Sequence, residues 1–329
     1  MTSKTDLFPM PPAQHTAEGD IRHVGVELEM GDIDIDSLSR LVADHVGGTV
    51  EKRSRYVHTV TGDPAGDWEV ELDFAYLKNK TEAPADDLGE LAEDILRFGA
   101  EQIVPLEIVS PPLPIDRLPE VNELIDRLRE AGASGTGGGL SYAFGLHLNP
   151  ETPATDAATI THHLQAFLCL FDWLKKRAKV DMTRRLTAYI AAYPADYVRL
   201  VVDPAYTPGE ADLIDDYLAF NPSRNRALDM LPLFAHLDEK RVRAKVADKR
   251  VRSRPTYHYR LPNCEIDRPG WGSHEAWADW VMLERVAAEP EKLAALCSLF
   301  QTYLDEPFAL FNEGWAERVD RWLGEHFPR

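Results

Sequence analysis

The sequence predicts an α+β fold built on a largely antiparallel β-sheet with a helical C-terminal part. Five short stretches alternate apolar and ionisable residues with the strand period of two, and four of them fall in the first half of the chain. The second half turns to apolar residues at helical spacing. Strands gathered first and helices later are the pattern of an α+β domain.

Residues 21–31 form the first strand. Val24, Val26, Leu28 and Met30 share one side, and Glu27 and Glu29 share the other. Same-face neighbours on a strand lie about 7 Å apart, so the two carboxylates either chelate divalent cations or repel. A cation is the more economical reading. Residues 35–45 read as an amphipathic helix with Leu38, Leu41 and Val42 in register, and residues 50–60 and 67–77 as one hairpin. In its second arm Trp68, Val70, Leu72 and Phe74 alternate with Asp67, Glu69, Glu71 and Asp73. A solvated antiparallel face accounts for Glu69 and Glu71 better than a functional role does, and Asp73 stays open.

Residues 86–101 read as a helix whose paired aspartates suit an N-terminus. In the strand over 103–110, Glu107 interrupts an apolar run that ends in Pro111 and Pro112. A lone acid there is costly unless it is paired or metal-bound. A helix over 116–131 follows, and residues 132–139 then hold five glycines in eight positions. That run lacks the GK[ST] ending of a phosphate loop and has the wrong register for a dinucleotide fingerprint, so it reads as a flexible connection. In the next strand Phe144, Leu146 and Leu148 face inward, with His147 and Asn149 on the other side. Taken alone, His147 reads equally well as a hydrogen-bonded core residue and as a ligand.

A long helix over 156–178 presents Leu164, Phe167, Leu168, Phe171 and Leu174 on one face, which core packing explains without a cofactor. Arg184 and Arg185 follow, to cap its end or to project into a site. Residues 209–237 look helical with an interruption at 221–226. The run from Lys240 to Arg254 holds eight Lys or Arg and one acid, Asp248. It is either a solvated helix face pairing with acids elsewhere or positive charge delivered to a polyphosphate site, and its position favours the second. In residues 257–267, Arg260 and Glu265 flank Pro262, which interrupts a central ladder, so this strand bends. Residues 273–323 are helical with breaks at Pro290 and Pro307, and Trp277, Trp280, Trp315 and Trp322 pack that part onto the body. No internal repeat is present.

Composition sets outer bounds. The 329 residues are 44% hydrophobic, ample for a sizeable core in one large domain or two of ordinary size. Cys169, Cys264 and Cys297 are odd in number and widely spaced, which indicates neither a disulfide framework nor a thiolate metal site and fits a reducing cytoplasm. A formal charge of −19 opposes general affinity for nucleic acid or anionic membranes. No stretch approaches about 18 consecutive apolar residues, so no spanning helix is expected. The first residues lack the basic flank and apolar core of a signal peptide, and a disordered or loosely docked arm over 1–20 is expected.

Together the motifs resemble a known family. G-V-E-L-E at 25–29, W-E-V-E-L-D at 68–73, E-I-V-S-P-P-L at 107–113, G-L-H-L-N at 145–149 and Y-R-L-P-N-C-E-I-D at 259–267 occur in the order seen in amidoligases of the glutamine synthetase superfamily. The resemblance spans roughly residues 21–285, with 286–329 as a helical extension. It implies a glutamine-synthetase-like curved sheet with helices packed on its outer side, holding ATP and Mg²⁺ or Mn²⁺. It implies phosphorylation of a carboxylate by ATP and displacement of phosphate by an amine. Glu29 and Glu107 would then hold the metal near the acceptor carboxylate, and Glu27, His147 and Glu265 the one bridging the ATP phosphates. Arg184 or Arg185 would contact the transferred phosphoryl, while Arg260, with Arg254 and Asn149 nearby, would bind the nucleotide.

Two positions depart from the family. Asn149 stands where a second histidine is common, and Phe74 and Ala75 follow Asp73 where Gly-Ser is common, leaving Asp73 as an amine-site candidate. The expected activity is ATP-dependent amide formation between a small-molecule or peptide carboxylate and an amine donor. A metal-dependent amide hydrolase, distinguished by nucleotide independence, and a non-catalytic binding protein on the same scaffold are the alternatives.

Overall fold

The apolar alternation from Val24 to Met30 becomes strand β1 (His23–Met30), whose burial alternates residue by residue along its length. In the computed structural model, which describes residues 7–72, 105–136, 144–180, 191–306 and 314–328, the chain forms an α+β protein with antiparallel strand pairing and ten α-helices among the described residues. It divides into two compact units.

The sheet unit comprises Gly25–His147 and Asn263–Glu275. Its strands run in the order β2 (Thr49–Lys52), β3 (Val57–Asp63), β4 (Gly66–Leu72), β5 (Leu106–Val109), β1, and β6 (Leu113–Pro114) also pairs with β1. Register decides what each face carries. Leu28, Ile108, Val70 and His58 form one cross-strand row, and Glu29, Glu107 and Glu71 form the next. Because directly opposed residues share a face and successive residues alternate, one side is hydrocarbon and the other carboxylate. Leu28, Val70 and Ile108 are at most 1% exposed, each contributing about 1.5–3 kcal/mol of burial. The helix Ile35–Val46 seals this side, packing on β2, β3 and β4 and against the helix Leu118–Glu130. Asp34 caps its start by accepting from Ser37 N, and Gly47 closes it at φ 68°.

The single hairpin expected over 50–60 and 67–77 is instead two. Arg53 N and Ser54 N both donate to Val57 O and turn the chain before β3. β3 then returns through Gly66, whose φ of 133° suits glycine alone. Asp63 organises this second turn. Its side chain is 1% exposed and accepts from Arg117 at 2.8 and 3.1 Å, from Ala65 N at 2.8 Å and from Trp68 Nε1 at 3.0 Å. Expectations for residues 73–77, 86–101, 103–104, 137–139 and 307 lie outside the described residues.

The helical unit comprises Met1–Val24, Leu148–Pro262 and Ala276–Arg329. β7 (Leu146–Pro150) carries the chain into it, and Leu148 pairs with Tyr259 of β9 (His258–Tyr259), which pairs with β8 (Leu228–Asp229). The predicted long helix is Ala157–Arg177, capped by Asp156 accepting from Thr159 N. β8 lies inside the region read as helical, between helices Glu210–Phe220 and Leu231–Leu237. Its partner is some thirty residues away, so local periodicity could not show it. The C-terminal part splits into Ser273–Ala287, Pro290–Leu304 and Trp315–His326, with the expected break at Pro290, which opens the second of these helices. Trp277 and Trp280 are fully buried.

Residues 7–20 pack on this unit. Phe8 is buried, Pro9 O accepts from Trp277 Nε1 at 2.8 Å, and Ala13 O accepts from Arg22 at 2.7 Å. Arg22 itself is 1% exposed and meets Glu284 through bonds of 2.8 and 2.7 Å. All three cysteines are buried and free. Among the described residues no helix is long and apolar enough to cross a membrane.

Burial raises the pKa of Asp63, but the bonds from Arg117, Ala65 N and Trp68 outweigh it and hold this acid below the ordinary aspartate value. A depressed pKa stabilises the fold above the unfolded-state value of about 4 and ceases to do so as pH falls through the lower folded value. Asp63→Asn is therefore expected to cost about 2–4 kcal/mol at pH 7 in urea unfolding. The difference from the unsubstituted chain should shrink below about pH 4, and an undiminished difference at pH 3 contradicts this account.

Candidate functional site

On the polar face of the sheet unit, register aligns Glu29 of β1, Glu107 of β5 and Glu71 of β4. All three are half-buried. Opposed residues on adjacent strands have Cα atoms about 4.5–5.5 Å apart, so the carboxylates crowd. Glu27 and Glu69 stand in the neighbouring row, each opposite Val109.

His147 enters this face from the start of β7. The backbone fixes its approach, since Glu29 N donates to Gly145 O at 3.0 Å while Gly145 N donates to Glu29 Oε2 at 2.6 Å. The imidazole is 5% exposed. Its Nδ1 lies 2.8 Å from Glu27 Oε2, and its Nε2 lies 3.6 Å from Glu29 Oε1. An ionised carboxylate only accepts hydrogen bonds, so Nδ1 carries the proton toward Glu27 and Nε2 presents its lone pair. One ligand atom from each of Glu29, Glu107 and His147 falls within 4.8 Å of the others. Two carboxylate oxygens and one imidazole nitrogen suit Mg²⁺ or Mn²⁺. At about 5 Å and an effective dielectric of 20, a pair of carboxylates repels by roughly 3 kcal/mol, which a cation there would offset.

Other predicted residues sit differently. Glu265, also in the sheet unit, is held by Arg268 at 2.6 Å, and Arg268 also binds Glu275 at 2.7 and 2.8 Å. It is not in the group formed by Glu29, Glu107 and His147. In the helical unit, Asn149 Oδ1 accepts from Arg254 Nη2 at 2.6 Å, joining two of the positions expected to bind nucleotide. Arg260 donates from Nη1 to Arg224 O at 2.7 Å, and its Nε is buried without a hydrogen-bond partner among the described residues. Arg184, Arg185 and Asp73 lie outside the described residues.

Much of the basic run is engaged locally. Arg241 binds Asp215 and Asp238, Arg243 binds Glu239 and Val251 O, and Arg250 binds Asp248. Arg254 is the member that reaches Asn149.

Residues not expected at a site also appear. Glu71 joins the carboxylate row because of a register that no local pattern reveals. Arg224, read only as part of a helix interruption, is drawn below the ordinary guanidinium pKa by burial; Asp229 opposes this, while Arg260 and Arg250 add to it. Several guanidinium groups therefore share one region of the helical unit. Across the β8–β9 register, Asp229 Oδ2 lies 3.5 Å from His258 Nδ1, and both side chains are at most 2% exposed. The strand read over 257–267 spans His258, but only its burial beside a carboxylate marks it.

This convergence of acids and imidazole agrees with family membership. Residues 20–282 match the family described as "putative amidoligase enzyme", and the chain belongs to that family. No curated protein and no solved structure matches the chain.

The tautomer of His147 is directly measurable. Long-range ¹H–¹⁵N spectra of the metal-free protein are expected to show the Nδ1–H form, and Glu27→Ala should shift the population toward Nε2–H. A dominant Nε2–H form in the unsubstituted chain contradicts the assignment.

Proposed function

We propose that the chain is an ATP-dependent carboxylate–amine ligase on a glutamine-synthetase-like scaffold. The supporting observation is the meeting of Glu29, Glu107 and His147 on one face of the sheet unit, in a chain of the amidoligase family. The donor set fits a divalent ion, which when bound supplies positive charge for an acceptor carboxylate and for ATP phosphates.

Each side chain then has a task. Glu29, Glu107 and His147 bind, and Glu27 keeps the His147 proton on Nδ1 so that Nε2 remains a ligand; such orienting carboxylates are common around metal-bound histidines. Glu71 extends the acidic face alongside Glu107. We assign His258, whose Nδ1 lies 3.5 Å from Asp229 Oδ2, to the metal accompanying the nucleotide, and Glu265, also expected at that metal, is paired with Arg268. Arg260, Arg254, Arg224 and Asn149 bind phosphate oxygens, with Arg184 and Arg185 as further candidates for the transferred group. Fixed cations of this kind stabilise developing negative charge without covalent chemistry by the protein.

Bond changes are few. An oxygen of the acceptor carboxylate attacks the γ-phosphorus, the bond to ADP breaks, and an acyl phosphate results. An amine nitrogen then attacks the acyl carbon, phosphate leaves, and the nitrogen gives up a proton, with Asp73 as the candidate to receive the amine. A hydrolase would leave the clustered guanidinium groups without a task.

With Mg²⁺ or Mn²⁺ present, ADP and phosphate are expected in equal amounts only when a suitable acid and amine are both supplied. Glu29→Ala and Glu107→Ala should each lower turnover by about 10²-fold or more with circular dichroism unchanged. Mn²⁺ alone should raise the melting temperature of the unsubstituted chain, by mass action, and not that of either variant. Full turnover in Glu29→Ala rejects the site, and amide cleavage without nucleotide replaces the ligase with a hydrolase.

A further inference from the structure

The hydrocarbon side of the sheet unit contains a cavity of about 890 Å³, within the roughly 300–1,000 Å³ range of small-molecule sites. All of its described walls belong to that unit. Met30, Leu72 and Leu106, which line it, each adjoin a glutamate of the carboxylate row in sequence and therefore point to the opposite face. The cavity is thus separate from the row.

The charged walls are engaged locally. Lys52 Nζ meets Asp36 Oδ1 at 2.7 Å, Asp34 Oδ1 accepts from Ser37 N at 2.9 Å, and Asp32 accepts from Ser134 Oγ. Arg55 lies over the Tyr56 ring at 5.5 Å and has partners of its own. A charged guest would give up its hydration for groups that already have partners, which is costly in a partly apolar cavity.

His58 supplies the polar group that is not engaged. It lines the cavity and is 1% exposed. Ser39 Oγ donates its single hydrogen to Ile35 O at 2.7 Å, so in its 2.8 Å contact with His58 Nδ1 the imidazole is the donor. Burial lowers the His58 pKa and outweighs the opposing pull of Asp36, so the ring is neutral. A neutral ring that donates from Nδ1 accepts at Nε2. Asp36 Oδ1, 3.7 Å from Nε2, is itself an acceptor and too distant for a hydrogen bond. Nε2 therefore presents one lone pair that no described residue fills, beside the hydrocarbon of Leu72, Leu106 and Phe144.

We propose that this cavity binds a neutral aromatic molecule bearing one hydroxyl or ring N–H, which donates to His58 Nε2 while the ring system packs on Leu72, Leu106 and Phe144. One lone pair matches one hydrogen; an ether supplies none, a carboxylate supplies only acceptors, and an ammonium brings three donors to a single lone pair. The site does not depend on the ligase reading, because it uses none of the residues assigned to metal or nucleotide.

Calorimetric titration of the full chain without nucleotide at pH 7 tests it, with 2-naphthol, 2-methoxynaphthalene, 2-naphthoate and 2-naphthylmethylamine as probes. 2-Naphthol is expected to bind, and each of the others to bind about tenfold more weakly or worse, as loss of one hydrogen bond or burial of an unpaired charge implies. His58→Phe keeps an aromatic ring and removes the acceptor, so it should bring 2-naphthol down to the affinity of 2-methoxynaphthalene, with circular dichroism unchanged. Glu107→Ala should leave 2-naphthol binding intact. No heat with 2-naphthol, equal or tighter binding of any of the other three probes, undiminished binding in His58→Phe, or loss of binding in Glu107→Ala overturns the proposal. If His58→Phe does not fold, the contrast between 2-naphthol and 2-methoxynaphthalene on the unsubstituted chain decides the matter alone.

Discussion

Like charges held on one face of a rigid sheet are the constraint on which the rest of the sheet unit depends. Glu29, Glu107 and Glu71 are brought side by side by strands whose opposite face is Leu28, Ile108 and Val70. The hydrocarbon face fixes the register, because a one-residue slip would drive glutamates into the core. The carboxylate face therefore cannot relax by shifting its strands. A cation bound there, as proposed above, would relieve the crowding, and this would link the packing of the core to the chemistry of the site.

His147 completes the arrangement through backbone as much as side chain. The reciprocal bonds between Glu29 and Gly145 hold the start of β7 against β1, and Glu27 then orients the ring. In the proposed reading Glu27 would position the imidazole and Glu29, two residues away, would ligate. The helical unit sets Asp229 Oδ2 at 3.5 Å from His258 Nδ1, both side chains buried. It also buries Arg224, and burial first, with smaller contributions from Arg260 and Arg250, draws that guanidinium below its ordinary pKa.

Much of the sheet unit was legible from local pattern. The alternation in Val24–Met30 predicted β1 and its two faces, Asp156 marked the start of the long helix, and Pro290 marked the start of another. Turns were less legible. The division of 50–60 into two strands depends on Arg53 and Ser54 both bonding Val57 O, and β8 depends on pairing with a strand some thirty residues away. Of the candidate site, Glu29, Glu107 and His147 were named from residue type in strand context. Glu71 was read as part of a solvated face because an acid on a solvated strand and an acid beside a carboxylate row have the same local sequence.

The sequence by itself determined which side chains face which way along each strand, since a period of two requires only the covalent chain and its pleat. It also carried the order of motifs that marks the family. Tertiary structure decided which of those side chains meet: that Glu107 stands between Glu29 and Glu71, that Glu27 faces His147, and that Glu265 turns to Arg268. Apart from Glu265 and Arg268, which are three residues apart, these partners lie 36 to 120 residues from one another and are selected by the packing of the whole core, and no local periodicity carries that information.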